Sequence, residues 1–266
     1  MRLARRAARW GFAAAAIVAP ALVQAAEPEP CPGLVASREA LFQRAALGER
    51  EVGLTFVGHA TFVIESAGGI RAATDYNDHV RPPVPPDIAT MNKAHTTHFT
   101  MRPDPRIKHV LRGWDMSGAA AHHDVTVGDM HVRNVATNLR DWGGGTENNA
   151  NSIFVFETAQ LCIAHLGHLH HTLTPEHLTK LGRIDVLLVP VDGGYTLDTA
   201  GMMEVLAAIN APLMIPMHYF NSATLERFLT AARARYAVEF SNTPSIVVSR
   251  ETLPRAAKVL VLPGLH

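Results

Sequence analysis

Histidine is the residue type best able to do chemistry in this chain, with 15 copies among 266 residues. The densest group lies at residues 165–171, where four of seven residues are histidine. His95 and His98 form a second group, and His218 follows an apolar segment late in the chain. Because neutral imidazole is a strong ligand for zinc and similar metals, these groups predict a metal site.

These polar side chains follow segments that are predicted to be strands. Asp75 follows residues 70–74, and His95 and His98 come a few residues after residues 88–91. His165 and His168 follow residues 161–164, while His218 directly follows residues 213–217. In open α/β sheets, ligands bind beyond the ends of the strands. We therefore expect these side chains to meet in one pocket.

The strands and helices expected to position these side chains indicate an α/β fold. Strands predominate in the first half, and strands alternate with helices in the second. Strands are expected at residues 52–57, 61–65, 70–74, 88–91, 107–111, 125–127, 131–136, 152–157, 161–164, 184–189, 213–217, 245–248 and 259–262. Helices are expected after Thr174, from Asp198 through Ile209, and over 224–236, since Thr174 and Asp198 are good N-caps. Helices are expected to cover the sheet.

The first 25 residues have the layout of a secretory signal peptide, with four arginines followed by an alanine-rich apolar run. The run from Trp10 to Val23 is too short to span a bilayer comfortably, so a permanent membrane anchor is the weaker alternative. The predicted organisation is a signal peptide (1–25), an extension (26–47) and one domain (48–266). The protein is then periplasmic or secreted.

The composition limits the classes of partner and the possible disulfide. Lys and Arg number 24, and Asp and Glu also number 24, which argues against a dedicated nucleic-acid binder. The two cysteines, Cys31 and Cys162, are able to pair in an oxidising compartment. The alternative that we favour is a buried Cys162 thiol within its apolar segment. Nothing in the sequence indicates the oligomeric state.

Three stretches together resemble the metallo-β-lactamase superfamily. The first stretch comprises residues 56–65, Gly68-Gly69 and Thr74-Asp75. The second comprises residues 163–168 and 186–196, and the third comprises residues 215–219. The resemblance is to the branch of ascorbate-6-phosphate lactonase-like and N-acylphosphatidylethanolamine phospholipase D-like hydrolases. It covers residues 48–266 and implies an αββα sandwich with metals at the strand ends.

The metal motif departs from that family. In the usual His-x-His-x-Asp-His run, this chain has Lys93 for the first histidine and Thr97 for the aspartate. His168 stands in place of the bridging aspartate, and Asn138 lies near the expected place of an isolated histidine. The resemblance then implies one metal ion, most simply Zn²⁺, held by His98, His168 and His218. The charge of Lys93 disfavours a second cation nearby.

The chemistry that the resemblance implies is hydrolysis of a small ester, lactone or phosphodiester by a metal-activated water. His95 or His165 is the candidate base, and Asp75 is able to hold a ligand imidazole by accepting its second ring proton. Contacts to the substrate are expected from His59, Tyr195 and Tyr219. The alternative is a degenerate member that binds a metal or a small ligand without catalysis.

Two other features, a glycine-rich segment and the isolated histidines, are open to a structural interpretation. Residues 143–147, Gly-Gly-Gly-Thr-Glu, are either a mobile rim over the pocket or an ordinary hairpin connection. The remaining isolated histidines are expected to be structural: His79, His109, His122, His123, His131, His177 and His266.

Overall fold

The computed structural model describes residues 46–141 and 143–264. The predicted signal peptide, most of the extension, and Cys31 with its possible disulfide lie outside the described residues, and so does His266. Within the described part of the chain, no helix combines the length and the apolar character needed to cross a membrane.

The first of two mixed sheets has six strands, numbered in chain order. They are β1 (Val52–Gly58), β2 (Thr61–Glu65), β3 (Arg71–Ala73), β4 (Ile88–Met91), β5 (His109–Arg112) and β13 (Ser245–Val248). Their spatial order is β13-β1-β2-β3-β4-β5. β3, β4 and β5 run parallel to one another, and β13, β1, β2 and β3 pair antiparallel.

The second sheet has eight strands, in the spatial order β12-β14-β11-β10-β9-β8-β7-β6. They are β6 (Asp124–Val127), β7 (Met130–Arg140), β8 (Thr146–Thr158), β9 (Leu161–His165), β10 (Val186–Pro190), β11 (Leu213–Met217), β12 (Ala237–Phe240) and β14 (Lys258–Val261). β9, β10 and β11 are parallel neighbours, so their carboxyl ends lie at the same edge of the sheet.

Among the described residues, three helices lie in the second half of the chain: α1 (Pro175–Leu181), α2 (Thr199–Ile209) and α3 (Ser222–Ala232). Each begins where a side chain accepts a hydrogen bond from a backbone N–H of the first turn. The caps are Thr174 and Asp198, as predicted, and Asn221. α1 connects β9 to β10 and α2 connects β10 to β11, so these helices are the crossovers between parallel strands.

The core between the two sheets is built from apolar side chains of both sheets. Phe62 of β2 and Phe154 and Phe156 of β8 are fully buried there, together with Ile163 and Leu188 from the parallel strands. Burial of such side chains is the main term that favours folding, at about 25 cal/mol per Å² of apolar surface. Strands packed on both faces read as nearly continuous apolar runs, which accounts for the strand predicted at residues 184–189.

The predicted α/β sandwich is confirmed, with two mixed sheets packed around a shared apolar core. On the outer face of the second sheet, helix residues such as Val205 and Phe228 pack against Leu187 and Met214. Loop residues Tyr76, Ile107 and Trp114 instead join the cluster of β3 and β4 on the first sheet. For the residues described, helices therefore cover only the second sheet.

Several element boundaries differ from the predictions. β8 begins at Thr146 rather than 152, because residues 146–151 continue the antiparallel hairpin with β7, and residues 143–145 lie in its connection. The third helix is displaced toward the N-terminus by its Asn221 cap and ends at Ala232, and β12 was not predicted. Cys162 is half-buried on β9, not fully buried as expected.

Candidate metal centre

The site forms where the carboxyl ends of two groups of parallel strands meet. Asp192 and His218 follow the neighbouring strands β10 and β11, while Asp75 follows β3. The backbone N–H of His218 donates to the carbonyl of His59, in the turn between β1 and β2, at 2.7 Å. That bond ties the edges of the two sheets together at the site.

Two buried histidines are each held by a carboxylate. His98 Nδ1 donates to Asp75 Oδ2 at 2.5 Å, and His218 Nδ1 donates to Asp192 Oδ2 at 2.9 Å. Burial raises the pKa of Asp75 to about 6, which leaves it ionised at neutral pH. Burial also acts to raise the pKa of Asp192, but hydrogen bonds from His218 and Thr196 hold it below its usual range. Both carboxylates therefore accept from a ring N–H, which fixes the tautomer of each imidazole.

The second nitrogens of these rings point at each other. His98 Nε2 and His218 Nε2 lie 3.1 Å apart, and both side chains are fully buried. With the protons on Nδ1, two lone pairs face one another and require a cation between them. Burial first, and then the neighbouring imidazoles, lower the pKa of His98 well below its usual value, so a proton on its Nε2 is a poor substitute for that cation. The donors therefore fit a metal ion.

His168 has a different outer partner. Its Nδ1 lies 2.7 Å from His170 Nε2, and its Nε2 lies 3.1 Å from His95 Nε2. The backbone N–H of Arg140 donates to His170 Nδ1 at 2.6 Å. A neutral His170 must then donate from Nε2, which leaves the proton of His168 on its own Nε2, facing His95. His168 is thus a hydrogen-bond donor in this arrangement, and it becomes a metal ligand only when that proton is displaced.

Thr97 links two half-buried imidazoles on the open side of the site. Its Oγ1 lies 2.7 Å from His95 Nδ1 and 2.8 Å from His59 Nε2. Burial and the charge of His218 lower the pKa of His59 to about 3, and they also lower that of His95. Both rings are therefore neutral at pH 7 and able to accept a proton or a metal.

Five imidazoles surround one point. A ligand atom from each of His59, His95, His98 and His218 lies within 4.8 Å of the others. The ring centroid of His168 lies 4.8 Å from those of His95, His98 and His218. The structure therefore brings together the three predicted metal ligands, the predicted base His95 and the predicted substrate contact His59.

The backbone at the site is held in an uncommon conformation. His59, Asp75 and His218 have φ values of +51°, +41° and +55°, in the left-handed region that favours glycine. Such strain, at one to three kcal/mol for each residue as an order of magnitude, persists only where surrounding contacts enforce it. It is concentrated here on one carboxylate and two imidazoles of the site.

Three predicted residues are placed elsewhere. His165 lies outside the imidazole cluster, since its Nε2 bonds to the carbonyl of Ala60 at 2.8 Å and its Nδ1 accepts from the Gly167 N–H. Tyr219 packs against the core and donates its hydroxyl to the Leu262 carbonyl at 3.3 Å. Lys93 pairs with Glu147 at an exposed position, so its charge is neutralised there.

Sequence reasoning missed four contributors to the site: Asp192, Thr97, His170 and Phe220. Asp192 follows β10 just as Asp75 follows β3, so the strand-end rule contained the signal for it. In the sequence, Thr97 stands where the family has an aspartate, and Phe220 carries no signal beyond its place two residues after His218. His170 was part of the histidine-rich run, but its contact with His168 depends on the fold of residues 165–171.

Residues 53–218, more than half of the chain, match the family described as the Beta-lactamase superfamily domain. Together with the fold and the imidazole cluster at the strand ends, this match shows that the chain belongs to the metallo-β-lactamase superfamily.

The chain is similar in sequence or structure to proteins described as metal-dependent or Zn-dependent hydrolases. A Thermotoga maritima protein of known structure is 29% identical with a TM-score of 0.58, covering 79% of this chain and 98% of its own. A UPF0173 metal-dependent hydrolase from Methanoculleus marisnigri is 26% identical over 181 residues, which is 62% of this chain and 80% of the relative. Another UPF0173 metal-dependent hydrolase, from Methanosphaerula palustris, is 26% identical over 190 residues, which is 65% of this chain and 86% of the relative.

Proposed function

We propose that this protein is an exported metal-dependent hydrolase that cleaves an ester, lactone or phosphodiester with one bound Zn²⁺. The observation that carries the proposal is the pair of Nε2 atoms of His98 and His218, 3.1 Å apart and each backed by a carboxylate. The relatives are described as metal-dependent hydrolases, and the Thermotoga maritima protein as Zn-dependent. The lactonase-like and phospholipase D-like branch stays part of this proposal.

His98, His168 and His218 are the proposed ligands, since they are the three most deeply buried imidazoles of the cluster. Imidazole nitrogens suit zinc, and His168 completes the set once the proton on its Nε2 is displaced. Asp75 and Asp192 contribute negative charge from the outer positions, where they orient His98 and His218. Lys93, neutralised by Glu147, neither adds a ligand nor repels a cation strongly.

When bound, the metal supplies a coordinated water whose pKa approaches neutrality. His95 and His59 lie on the half-buried side of the cluster, where a substrate enters. His95 is the proposed base, because its lowered pKa keeps it able to accept a proton at pH 7. Thr97 fixes its orientation through the bond to Nδ1. His59 is then free to contact the substrate.

A second candidate function follows from the closeness of a fourth imidazole. The ring of His95 lies 4.5 to 4.8 Å from those of His98 and His168. Zinc sites with four protein ligands are closed and structural, whereas catalytic sites keep an open position. If His95 also binds the metal, the protein is a non-catalytic metal-binding member of the fold.

Metal analysis and turnover together test these two functions. The full chain, expressed with export and purified, is assayed for bound metal and for hydrolysis of p-nitrophenyl esters, a lactone and bis(p-nitrophenyl) phosphate. One Zn²⁺ per chain, with turnover lost on chelation and restored by zinc, supports the hydrolase. One Zn²⁺ without turnover supports the second candidate, and two tightly held metals or none contradict the one-metal site. His122→Ala, which alters an exposed histidine, is the matched control.

The export proposal has its own test. Residues 1–25 carry the signal-peptide pattern, so cleavage is expected near residue 25. The N-terminal sequence of the protein recovered from the periplasm or medium gives the cleavage position. An intact N-terminus in the cytoplasmic fraction would contradict it.

A further inference from the structure

Two exposed aromatic side chains form a small surface beside the metal centre. Phe220 is 54% exposed and Tyr195 is 60% exposed, and their ring centroids lie 5.5 Å apart in an edge-on arrangement. Scattered exposed apolar residues are ordinary, but a paired aromatic surface next to a polar site is typical of a ligand contact. We call these two residues the aromatic platform.

The aromatic platform directly adjoins the imidazole cluster. The ring of Phe220 lies 5.4 Å from that of His218 and 5.8 Å from that of His59. His218 is a proposed ligand and His59 faces the substrate side. An apolar group lying on Phe220 therefore holds the bond next to it beside the metal centre.

Both halves of the platform are fixed to elements of the site. The Tyr195 backbone N–H donates to Asp192 Oδ1 at 2.5 Å, the carboxylate that orients His218. Phe220 is followed by Asn221, which caps α3 by accepting from the Thr224 N–H at 2.9 Å. The backbone that carries the two rings is thus held in place, which limits the entropy lost when a ligand binds.

Two cations close in sequence to the site both have partners, and Arg140 holds the backbone on either side of Tyr195. Lys93 pairs with Glu147, and the Arg140 guanidinium donates to the carbonyls of Gly194 and Thr196. Recognition of a phosphate usually relies on free arginine or lysine donors. The surroundings therefore favour a substrate whose reacting group is uncharged.

We propose that the aromatic platform binds the apolar acyl group of a neutral carboxylic ester, which is the substrate class of this site. This inference rests on the proposed hydrolase. In the reaction, the oxygen of water bonds to the carbonyl carbon and the C–O bond to the alcohol breaks. The alcohol oxygen takes up a proton, the second product is the carboxylic acid, and no other co-reactant is needed.

Chain-length dependence tests the platform in the zinc-loaded full-length protein. The values of kcat/KM are measured for p-nitrophenyl acetate, butyrate, hexanoate and octanoate. We expect an increase of about twofold for each added methylene, less than the full burial of a methylene would give. Phe220→Ala is expected to flatten this dependence, whereas Phe220→Leu, which keeps an apolar surface, retains most of it. Met116→Ala removes an 88% exposed methionine and is the control expected to behave as wild type.

Binding of the products provides a measurement that does not depend on turnover. Calorimetry with acetate, butyrate, hexanoate and octanoate is expected to show affinity rising with chain length in the wild type but not in Phe220→Ala. Ester turnover with no chain-length dependence, or faster cleavage of bis(p-nitrophenyl) phosphate than of any ester, overturns the platform. Chain-length-dependent binding without turnover of any ester instead overturns the proposed hydrolase and leaves the platform standing.

Discussion

His98 Nε2 and His218 Nε2 lie 3.1 Å apart, although 120 residues separate the two histidines in the sequence. Asp75 and Asp192 hold the opposite nitrogen of each ring, so both lone pairs point into the same small space. Such an arrangement is unfavourable without a cation, and this relationship makes the metal centre the organising feature of the molecule.

The ligand assignment predicts loss of metal from single variants. His98→Ala or His218→Ala removes one of the facing lone pairs, so we expect purified protein to hold little zinc after dialysis. Elemental analysis of the dialysed protein measures this. His122→Ala, at an exposed position, is expected to keep the wild-type content. Full occupancy in the His98 or His218 variant would rule out that residue as a ligand.

The Asp192 carboxylate, which accepts from His218 Nδ1, predicts a partial loss of zinc affinity when it is replaced. Asp192→Asn replaces an ionised acceptor with a neutral one, so zinc affinity is expected to fall about 10- to 100-fold. A competition titration with a chromophoric chelator gives the value. Asp185→Asn is the control, because Asp185 is a buried carboxylate that pairs with Arg183 and Arg250 instead of an imidazole. Equal losses of affinity in both variants would contradict the proposed role of Asp192.

The position of His170 predicts that its replacement by a carboxylate tightens zinc binding. In the present arrangement Arg140 and His170 place the proton of His168 on Nε2, which opposes metal binding there. His170→Glu supplies a carboxylate able to accept both from the Arg140 N–H and from His168 Nδ1. We therefore expect tighter zinc binding in the same titration. His170→Gln, an uncharged acceptor of equal size, is expected to give a smaller gain, and weaker binding in both would contradict the proton assignment.

The buried imidazoles predict acid sensitivity of the metal-free protein. Burial first, and then neighbouring charges, lower the pKa of His59 to about 3 and that of His170 to about 4, and lower those of His95, His98, His165 and His168. Because the unfolded chain then binds more protons, stability is full above the unfolded value of about 6.5 and falls as pH drops toward 4. Asp75, with its pKa raised to about 6, has the opposite sign and offsets part of this loss.

Urea denaturation of the metal-free protein between pH 7.5 and pH 4.5 measures this dependence. The free energy of unfolding is expected to decrease continuously below pH 6.5. A value that stays constant across the range would show that these rings are not held neutral by the fold.

Gly167 predicts a packing effect next to the site. Its φ is +62°, and an added Cβ would lie 2.4 Å from Asn151 Oδ1 and 2.5 Å from Asn92 Nδ2, the group that donates to Asp75. Gly167→Ala is therefore expected to lose about 3 kcal/mol of stability. Gly69→Ala, with φ of +81° and no atom within 4 Å of the added Cβ, is expected to lose about 1 kcal/mol. Chemical denaturation of both variants tests the difference.

Much of this protein could be predicted from sequence because the signals are local. Continuous apolar runs, caps such as Thr174 and Asp198, and polar residues after strands predicted the fold class. The same signals placed His218 at a strand end and His98 a few residues beyond another. Boundaries were less certain where no local signal marks them, as in residues 146–151, which extend β8 only through pairing with β7.

The tertiary structure decided which imidazoles face one another and which proton each one carries. His165 and His168 are three residues apart and alike in sequence, yet one is held by backbone groups and the other meets His95. Whether a ring presents a lone pair or an N–H depends on its partner, a carboxylate for His98 and the Arg140-bonded His170 for His168. The proton of His170 is placed by Arg140, at the end of β7 and 30 residues away in the sequence. His98 and His218 follow strands of different sheets, and only the packing of the two sheets brings their rings within hydrogen-bond distance.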